Sequence, residues 1–304
     1  MDSFRWPLSR RYLAVLGVLV LVVSAGCAGL GADDGGTEPD TANTTDPSDG
    51  TDSNSTDGTD GSDGSSPFGQ LDPVESDLTG DEVLSQTTDA LGEVDGYTVT
   101  EAGTFVAEQN NQQLTVQINR TIRVDRSAER LTVAATTETQ GRTAETEQYL
   151  QNGTFYQRSA QIARQYGTEW LRTNVSDSFD QQFRQLDQIA RLRQLLENSS
   201  ATLEGRTELD GREVYAVNAT VDPATATDVR PTVVETERVE LSLWISTDTS
   251  LPLRIVEDSA FTESSIQGNL PQEADRSYRY DYGSVDITLP DAAKDAPFSG
   301  NVTQ

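Results

Sequence analysis

Residues 114–124, LTVQINRTIRV, decide the fold of this chain, because apolar and polar side chains alternate along them. Successive side chains of an extended strand point to opposite faces, so this period of two places one set against a core. The apolar set is Leu114, Val116, Ile118, Ile122 and Val124, and the polar set is Thr115, Gln117, Asn119, Thr121 and Arg123. The stretch is therefore predicted to be a strand that is buried on one face and solvated on the other.

Runs of similar character precede and follow this strand. They are residues 97–106, 131–137 and 147–150. Asn110 and Asn111 are predicted to form the turn that leads into residues 114–124. Short strands separated only by turns indicate antiparallel neighbours, since a parallel pair needs a crossover of about a dozen residues or more.

Two dipeptides predict tight hairpins. Asn152-Gly153 precedes Phe155, and Asp210-Gly211 separates residues 202–209 from residues 213–221. Both central residues of a type I′ turn take positive φ, which Asn, Asp and Gly adopt most readily. These turns again indicate consecutive antiparallel strands.

The alternation continues near the C-terminus. Residues 239–245 alternate as residues 114–124 do. Two later sets follow the same period, namely Tyr278, Tyr280 and Tyr282, and then Val285, Ile287 and Leu289. The second of these sets is predicted to close the sheet.

Two stretches have helical character. Thr79 and Glu82 form a capping-box pattern that opens a helix ending near Leu91. Residues 176–198 carry a broad apolar stripe made of Phe179, Phe183, Leu186, Ile189, Ala190 and Leu196, with Arg193 inside it toward the C-terminal end. Such a stripe either packs on a sheet as ordinary core or forms a wall over a ligand cavity, and the pattern leaves both interpretations open.

The N-terminus has the order of a secretory signal. Basic residues, among them Arg10 and Arg11, precede an apolar run from Tyr12 to Val23. This run is shorter than the roughly 20 residues that span a bilayer. Residues 1–26 are therefore predicted to be a signal peptide of the twin-arginine type, with an ordinary charged start as the alternative.

Cys27 is the only cysteine of the chain, so it has no internal disulfide partner. The small residues Ala25 and Gly26 before it resemble a lipobox, although Ser24 stands where the strict pattern has an aliphatic residue. Cys27 is predicted to carry a lipid, the alternative being a single uncleaved membrane anchor with a small buried thiol. Residues 27–70 are predicted to be a disordered acidic tether, and residues 71–304 a folded domain held at the outer face of the cell membrane.

The charge of the chain is strongly negative. It has 50 acidic and 22 basic residues and no histidine, for a formal charge of -28. Such a charge repels itself at low salt and is screened at high salt, and the composition resembles that of proteins from extremely halophilic archaea. Nucleic acid is excluded as a partner because no basic stripe is present to meet phosphates.

Glycosylation sequons are numerous for an exported chain. They begin at Asn43, Asn54, Asn119, Asn152, Asn174, Asn198, Asn218 and Asn301. The five from Asn119 to Asn218 lie in the predicted domain, where glycans would make this a surface glycoprotein.

Catalytic patterns are missing from the sequence. Without histidine, and with the single cysteine assigned to lipid, most nucleophilic triads are excluded. No GxSxG, phosphate-binding loop or metal-ligand spacing occurs. The chain is therefore predicted to be no enzyme, with no cofactor and no metal.

Several short motifs, taken in order, resemble the LolA/LppX-like lipoprotein-carrier fold family. They are EQYL at 147–150 with NGT at 152–154, LDGREVY at 209–215, LWIS at 243–246 with LPLR at 251–254, and YGSVDI at 282–287. The resemblance covers residues 79–293. It implies an α+β fold in which a strongly curved antiparallel sheet, a half-open barrel, carries helices over its concave side.

The resemblance also implies a function. Members of the family hold acyl chains in the apolar concavity, and they have no catalytic residues. The residues expected to enclose a lipid or other apolar ligand are Phe179, Phe183, Leu186 and Ile189. Arg193 is expected to contact the headgroup of a lipid ligand. The alternative is a non-catalytic envelope interaction or sensor protein whose concavity is filled by its own side chains.

Overall fold

Eleven strands form one antiparallel sheet in the computed structural model, which describes residues 66–74, 77–109, 112–230, 232–265 and 268–299. The first six are β1 (Gly96–Gln109), β2 (Gln112–Asp125), β3 (Arg130–Thr139), β4 (Arg142–Gln151), β5 (Thr154–Ser159) and β6 (Trp170–Asn174). The other five are β7 (Ser199–Leu209), β8 (Arg212–Val221), β9 (Val233–Ser246), β10 (Pro252–Ser265) and β11 (Gly268–Tyr282).

The sheet consists of two meanders that meet in its middle. Its strand order is β6-β5-β4-β3-β2-β1-β11-β10-β9-β8-β7. The two meanders join where β1 pairs with β11, from Tyr97 opposite Tyr282 to Ala107 opposite Gln272. Strands β6 and β7 are therefore the two edges although they follow each other in the chain, and the connection between them must cross from one edge to the other.

Six helices accompany the sheet over the described residues. They are α1 (Gly80–Gly92), α2 (Ala160–Tyr166), α3 (Phe179–Leu186), α4 (Gln188–Leu196), α5 (Pro223–Asp228) and α6 (Asp291–Lys294). The predicted capping box of α1 is confirmed, since Thr79 Oγ1 accepts from the Glu82 backbone N–H at 3.2 Å and Glu82 Oε2 accepts from the Thr79 N–H at 2.9 Å. The capping box depends on four consecutive residues alone, so it could be predicted without knowledge of any distant partner.

Both predicted hairpins are confirmed by their backbone angles. Asn152 and Gly153 have φ of 50° and 69°, and Asp210 and Gly211 have φ of 51° and 78°. Gly153 is required for a second reason, because a Cβ there would lie 2.5 Å from Ser176 Oγ. The turns therefore set the register of β4 with β5 and of β7 with β8.

One face of the sheet, the inner face, carries the main core. Alternating residues of both meanders, such as Leu150 in β4 and Val217 in β8, pack in the same cluster as α1 and α4. Because strands from both meanders contact the same helices, the sheet curves around these helices. The expected half-open barrel with helices over its concave side is confirmed.

Both edges of the sheet are capped by the ends of the described chain. Asp72 and Arg206 exchange two backbone hydrogen bonds of 2.8 Å at the β7 edge, and the Arg172 N–H donates to the Pro297 carbonyl at 3.0 Å at the β6 edge. At these positions the backbone groups of the edge strands are already paired and are not free to bind another chain. Phe68, within the predicted tether, packs its ring 4.7 Å from that of Trp244, so the packed chain includes this residue.

The single helix predicted over residues 176–198 is wrong in one respect, because a break divides it. A 3-10 turn at Ser176–Ser178 leads into α3, and Asp187 then leaves helical geometry with ψ of 103° before α4 begins. The Asp187 side chain caps α4 by accepting from the backbone N–H groups of Ile189 and Ala190. Apolar periodicity continues across such a break, so the pattern alone conceals it.

The closing strand predicted at Val285, Ile287 and Leu289 is also wrong. These residues follow β11 without forming a strand, since β11 is already paired on both sides with β1 and β10. Ile287 and Leu289 instead pack with Tyr149 and Trp170. Their alternation therefore reflects a half-buried extended segment rather than sheet pairing.

Candidate functional site

The connection from β6 to β7 forms a lid across the inner face, and we call its two helices, α3 and α4, the cover. In α3, Phe179, Phe183 and Leu186 are partly buried and pack on the main core. The rings of Phe179 and Phe183 stack with their centroids 6.2 Å apart. Ile189, at the start of α4, is fully buried. The structure thus brings these four predicted residues together beneath the cover.

Arg193, the fifth predicted residue, lies elsewhere. Its guanidinium approaches Glu197 at 3.8 Å, and its guanidinium carbon is 3.5 Å from where a Cβ would sit at Gly92 of α1. The side chain therefore lies against α1. The arginine of α4 that reaches the interior is Arg191, discussed below.

A buried polar contact fastens the cover to the sheet. Tyr97 Oη, from β1, donates to Asp187 Oδ1 at 2.8 Å, and Arg126 Nε lies 3.1 Å from Asp187 Oδ2. Arg126 also donates to the carbonyls of Leu91 and Val94, which ties it to the end of α1. Burial, together with the neighbouring Asp187 carboxylate, raises the pKa of Tyr97 well above its ordinary value, so Tyr97 stays a hydrogen-bond donor. We call Tyr97, Arg126 and Asp187 the latch.

A buried ionic cluster lies deeper on the inner face. Glu257 of β10 accepts from Arg230 Nη2, from Tyr278 Oη at 3.0 Å, and lies 3.0 Å from Arg276 Nη2. Glu257, Arg230 and Arg276 are 4%, 5% and 8% exposed. Although burial alone raises the pKa of Glu257, the guanidinium groups of Arg276 and Arg230 bring it down to about 2. The carboxylate is therefore ionised at neutral pH.

The strand register extends this cluster across the sheet. Glu101 of β1 lies opposite both Arg120 of β2 and Tyr278 of β11, and it is ion-paired with Arg120. Only 2% of Glu101 is exposed. We call the six charged residues of this region the inner cluster: Glu101, Arg120, Arg191, Arg230, Glu257 and Arg276.

Arg191 joins the inner cluster from the side of the cover. It extends from α4, and it borders a cavity of about 20 Å³ together with Glu257, Tyr278 and Tyr280. Among the described residues, Arg191 takes part in no ion pair. Its Nε is buried without a hydrogen-bond partner. Burial lowers the pKa of Arg191 from its ordinary value.

Sequence reasoning missed the inner cluster, although a signal for it was present. Arg120 stands on the apolar face of residues 114–124, where the period of two calls for a buried side chain. Glu257 stands two residues after the fully buried Ile255, on the same face. A charged residue in an apolar register position indicates a buried ion pair, but the strand pairing that supplies its partner is not visible in the pattern.

A second cleft lies away from the cover and has a different character. It measures about 370 Å³ and is bordered by exposed carboxylates, including Glu108, Glu237 and Glu273. Over the described part of the chain, no group of three or more His, Cys, Asp or Glu side chains is arranged to hold a metal ion.

The five sequons from Asn119 to Asn218 occupy different surroundings. Asn119, Asn152, Asn174 and Asn198 are exposed. Asn218 is partly buried, and its amide nitrogen, where a glycan would attach, donates to Glu204 Oε1 at 3.1 Å. The first four positions are therefore the accessible ones.

The predicted signal peptide, Cys27 and the sequons at Asn43, Asn54 and Asn301 lie outside the described residues, as does the predicted turn at Asn110 and Asn111. Within the residues that are described, no helix is both long and apolar enough to cross a membrane.

Comparison with known proteins gives likenesses in structure alone. No protein-family model matches the chain, and no curated protein sequence matches it. Among solved structures, the lipoprotein LppX of Mycobacterium tuberculosis is similar at 12% identity with a TM-score of 0.38, over 68% of this chain and 98% of LppX.

Two further structures are similar over most of the domain. A DUF1329 family protein from Desulfovibrio piger matches at 12% identity and a TM-score of 0.24, over 70% of this chain and 94% of its own. A putative outer membrane lipoprotein-sorting protein domain from Vibrio parahaemolyticus matches at 8% identity and a TM-score of 0.24, over 71% and 96%. Likenesses this remote carry no argument about ligand or function.

Proposed function

We propose that this chain is a lipid-anchored protein at the outer face of the cell membrane. It binds a lipid or other apolar ligand between its curved sheet and the cover. The predicted signal peptide, the single Cys27 and the acidic tether support the location. The cover and the inner face of the sheet support the binding of an apolar ligand. No step of catalysis is part of this proposal.

The observation that carries the proposal is the form of the cover. It is one connection that crosses the sheet from edge to edge. Its helix α3 has no fully buried residue, although it presents Phe179, Phe183 and Leu186 to the main core. An amphipathic helix held by partial burial separates from its sheet at lower cost than a fully buried one, because local opening draws on the least buried elements.

Ligand binding requires this cover to move. The cavity beneath α4 measures about 20 Å³, whereas ligand pockets usually enclose about 300–1,000 Å³. Under this proposal, the structure corresponds to a closed state, in which the protein's own side chains occupy the place of the ligand. An apolar ligand would replace the contacts of α3 with the core, and the latch sets the cost of opening.

A second candidate function is favoured by the same small cavity. A packed interior also suits a non-catalytic envelope interaction or sensor protein, in which the cover never opens and partners bind outside. The two candidates differ in whether the latch regulates access to the interior.

The test compares wild type with the latch variant Asp187→Asn. Asparagine keeps the helix cap of α4 but removes the ion pair with Arg126, so it should raise the open fraction without unfolding α4. Apparent affinity rises with the open fraction, since a ligand that binds only the open state has an apparent Kd equal to its intrinsic Kd divided by that fraction. Asp258→Asn, which removes the exposed Arg238 ion pair of 2.8 Å, is the matched control.

Two measurements decide between the candidates. Mass spectrometry of gently purified full-length protein should detect a co-purifying lipid, and a fluorescent fatty acid should bind D187N more tightly than wild type or D258N. Absence of co-purified lipid together with no probe binding by any variant would favour the interaction protein.

A further inference from the structure

The outer face of the sheet, opposite the inner face, holds a short segment of the chain that precedes α1. We call this segment, residues 66–74, the strap. The ring of Phe68 lies 4.7 Å from that of Trp244 in β9, and only 6% of Phe68 is exposed. Four residues farther on, Asp72 exchanges two backbone hydrogen bonds of 2.8 Å with Arg206 of β7. The strap is therefore bound as an added edge segment with one side chain in a pocket.

The sheet presents a groove that is shaped for this segment. We call four residues the strap groove, namely Gly205, Val214, Ala216 and Trp244. The three apolar side chains of the groove are buried with Phe68 in a cluster separate from the main core. Gly205 lies at a register shift of β7, and a Cβ there would be 2.7 Å from the carbonyl oxygen of Asp72. The strap can therefore dock only because this position has no side chain.

The helix that follows the strap has its own attachment to the sheet. Ala201 of β7 donates its backbone N–H to Asp81 Oδ1 at 2.8 Å. Gly80 lies so close to the same strand that a Cβ there would be 2.5 Å from the Ala201 carbonyl oxygen. These contacts and the capping box of Thr79 hold the start of α1 on β7. The strap can therefore leave its groove while α1 stays folded and in place.

An open strap groove needs a new occupant, because the apolar surface around Trp244 costs free energy when it is left in water. The strap of a second copy has the same sequence and can make the same contacts in this groove. Exchange of an identical segment between copies is a low-cost route to a dimer, because no contact type is lost and only the entropy of association is added. Pro67 and Pro73 restrict the strap near its two ends, which reduces the entropy that it loses on docking.

We propose that the strap groove binds the strap of a second copy as well as its own, so that two copies exchange straps and form a dimer with two-fold symmetry. The structure, in which the strap lies in its own groove, is the monomer. In the dimer, each groove receives Phe68 from the other copy, and each Arg206 pairs with Asp72 of the other copy. This exchange does not depend on the proposed apolar ligand, because the cover lies on the inner face and the strap on the outer face.

The experiment measures the mass of the full-length protein by native mass spectrometry in concentrated ammonium acetate. Phe68→Ala weakens the strap and leaves the groove intact. Gly205→Ala places a methyl group where Asp72 docks and leaves the strap intact. Gln70→Ala changes an exposed residue of the strap and is the matched control. Urea unfolding followed by circular dichroism checks that each variant is folded.

Wild type and Q70A should show a dimer fraction that grows with protein concentration, whereas F68A and G205A should each stay monomeric. An equimolar mixture of F68A and G205A should contain a heterodimer, because the intact strap of G205A fits the intact groove of F68A. A mixture without this heterodimer, or a dimer fraction of F68A as large as that of wild type, would overturn the proposal.

A synthetic peptide of residues 66–74 gives a second measurement that does not require G205A to fold. The peptide should raise the Tm of F68A by about 3–5 °C for each tenfold increase in its concentration above its Kd. The same peptide with alanine in place of Phe68 should have no effect, and wild type should gain less because its own strap competes for the groove. Equal shifts with both peptides would show that the groove does not recognise the strap of another molecule, and strap exchange would then be wrong.

Discussion

Replacing Glu257 with Gln tests most directly whether the inner cluster is a buried network of ion pairs. Glutamine keeps the shape of the side chain but removes the negative charge that Arg230 and Arg276 share. Both arginines would then remain buried without a counter-ion. Removing one partner of a buried ion pair costs about 3–5 kcal/mol, and we expect E257Q to lose stability in this range.

The pH dependence of the free energy of unfolding gives a second estimate of how much the Glu257 carboxylate contributes to stability. The pKa of Glu257 falls from an ordinary value of 4.5 to about 2 in the folded protein, which corresponds to about 3 kcal/mol at about 1.36 kcal/mol for each pH unit. A depressed folded pKa stabilises the protein above the unfolded pKa, and this contribution disappears as the pH falls through the folded value. Wild type should therefore lose about 3 kcal/mol between about pH 5 and pH 2 through this residue, and E257Q should not.

The assay is urea unfolding followed by circular dichroism, at constant high salt and at several pH values. Asp258→Asn on the neighbouring position of β10 is the control, because its ion pair with Arg238 is exposed and worth about 1 kcal/mol or less. If E257Q were as stable as D258N at neutral pH, and both lost equal stability in acid, the inner cluster would not be the buried ion network described here.

Three further predictions concern the anchor, the charge and the cover. Cys27→Ser should abolish acyl labelling and signal processing at that residue, and unchanged size and labelling on a gel would contradict the lipobox interpretation. Lowering salt from molar to dilute should lower the Tm, because residues 72–304 carry 39 acidic and 19 basic residues whose repulsion is then unscreened; a constant Tm would exclude this adaptation. Phe183→Ala should cost less stability in urea than Ile189→Ala, for which about 2–5 kcal/mol is expected, because Phe183 is partly exposed and Ile189 fully buried; the reverse order would mean that α3 is a fixed part of the core.

Local patterns determined strand β2, the two hairpin turns and the first helix. The capping box at Thr79 and the hairpins at Asn152-Gly153 and Asp210-Gly211 depend on residues within four positions of one another. The faces of β2 followed from alternation, and Val116, Ile122 and Val124 are buried as the period of two requires. These features could be predicted because the energy that decides them is short-range.

The break in the cover required tertiary partners. Asp187 interrupts a continuous apolar stripe because Tyr97, 90 positions earlier, donates to its carboxylate inside the core. Neither residue signals the other in the sequence. The sequence therefore determined that residues 176–198 are amphipathic, whereas the fold decided where they bend.

The candidate site also has a part that the sequence predicted and a part that only the tertiary structure shows. The apolar residues of the cover were predictable from helical period alone, because burial of one face is a property of the helix itself. The six residues of the inner cluster lie in six separate segments of the chain. The pairing of β1 with β11 and of β10 with β11 brings Glu101, Glu257 and Arg276 together, and Arg191 reaches them only from the cover. Tertiary structure alone decided this charge arrangement, because a charged side chain is removed from water and placed beside its partner only when the whole sheet forms.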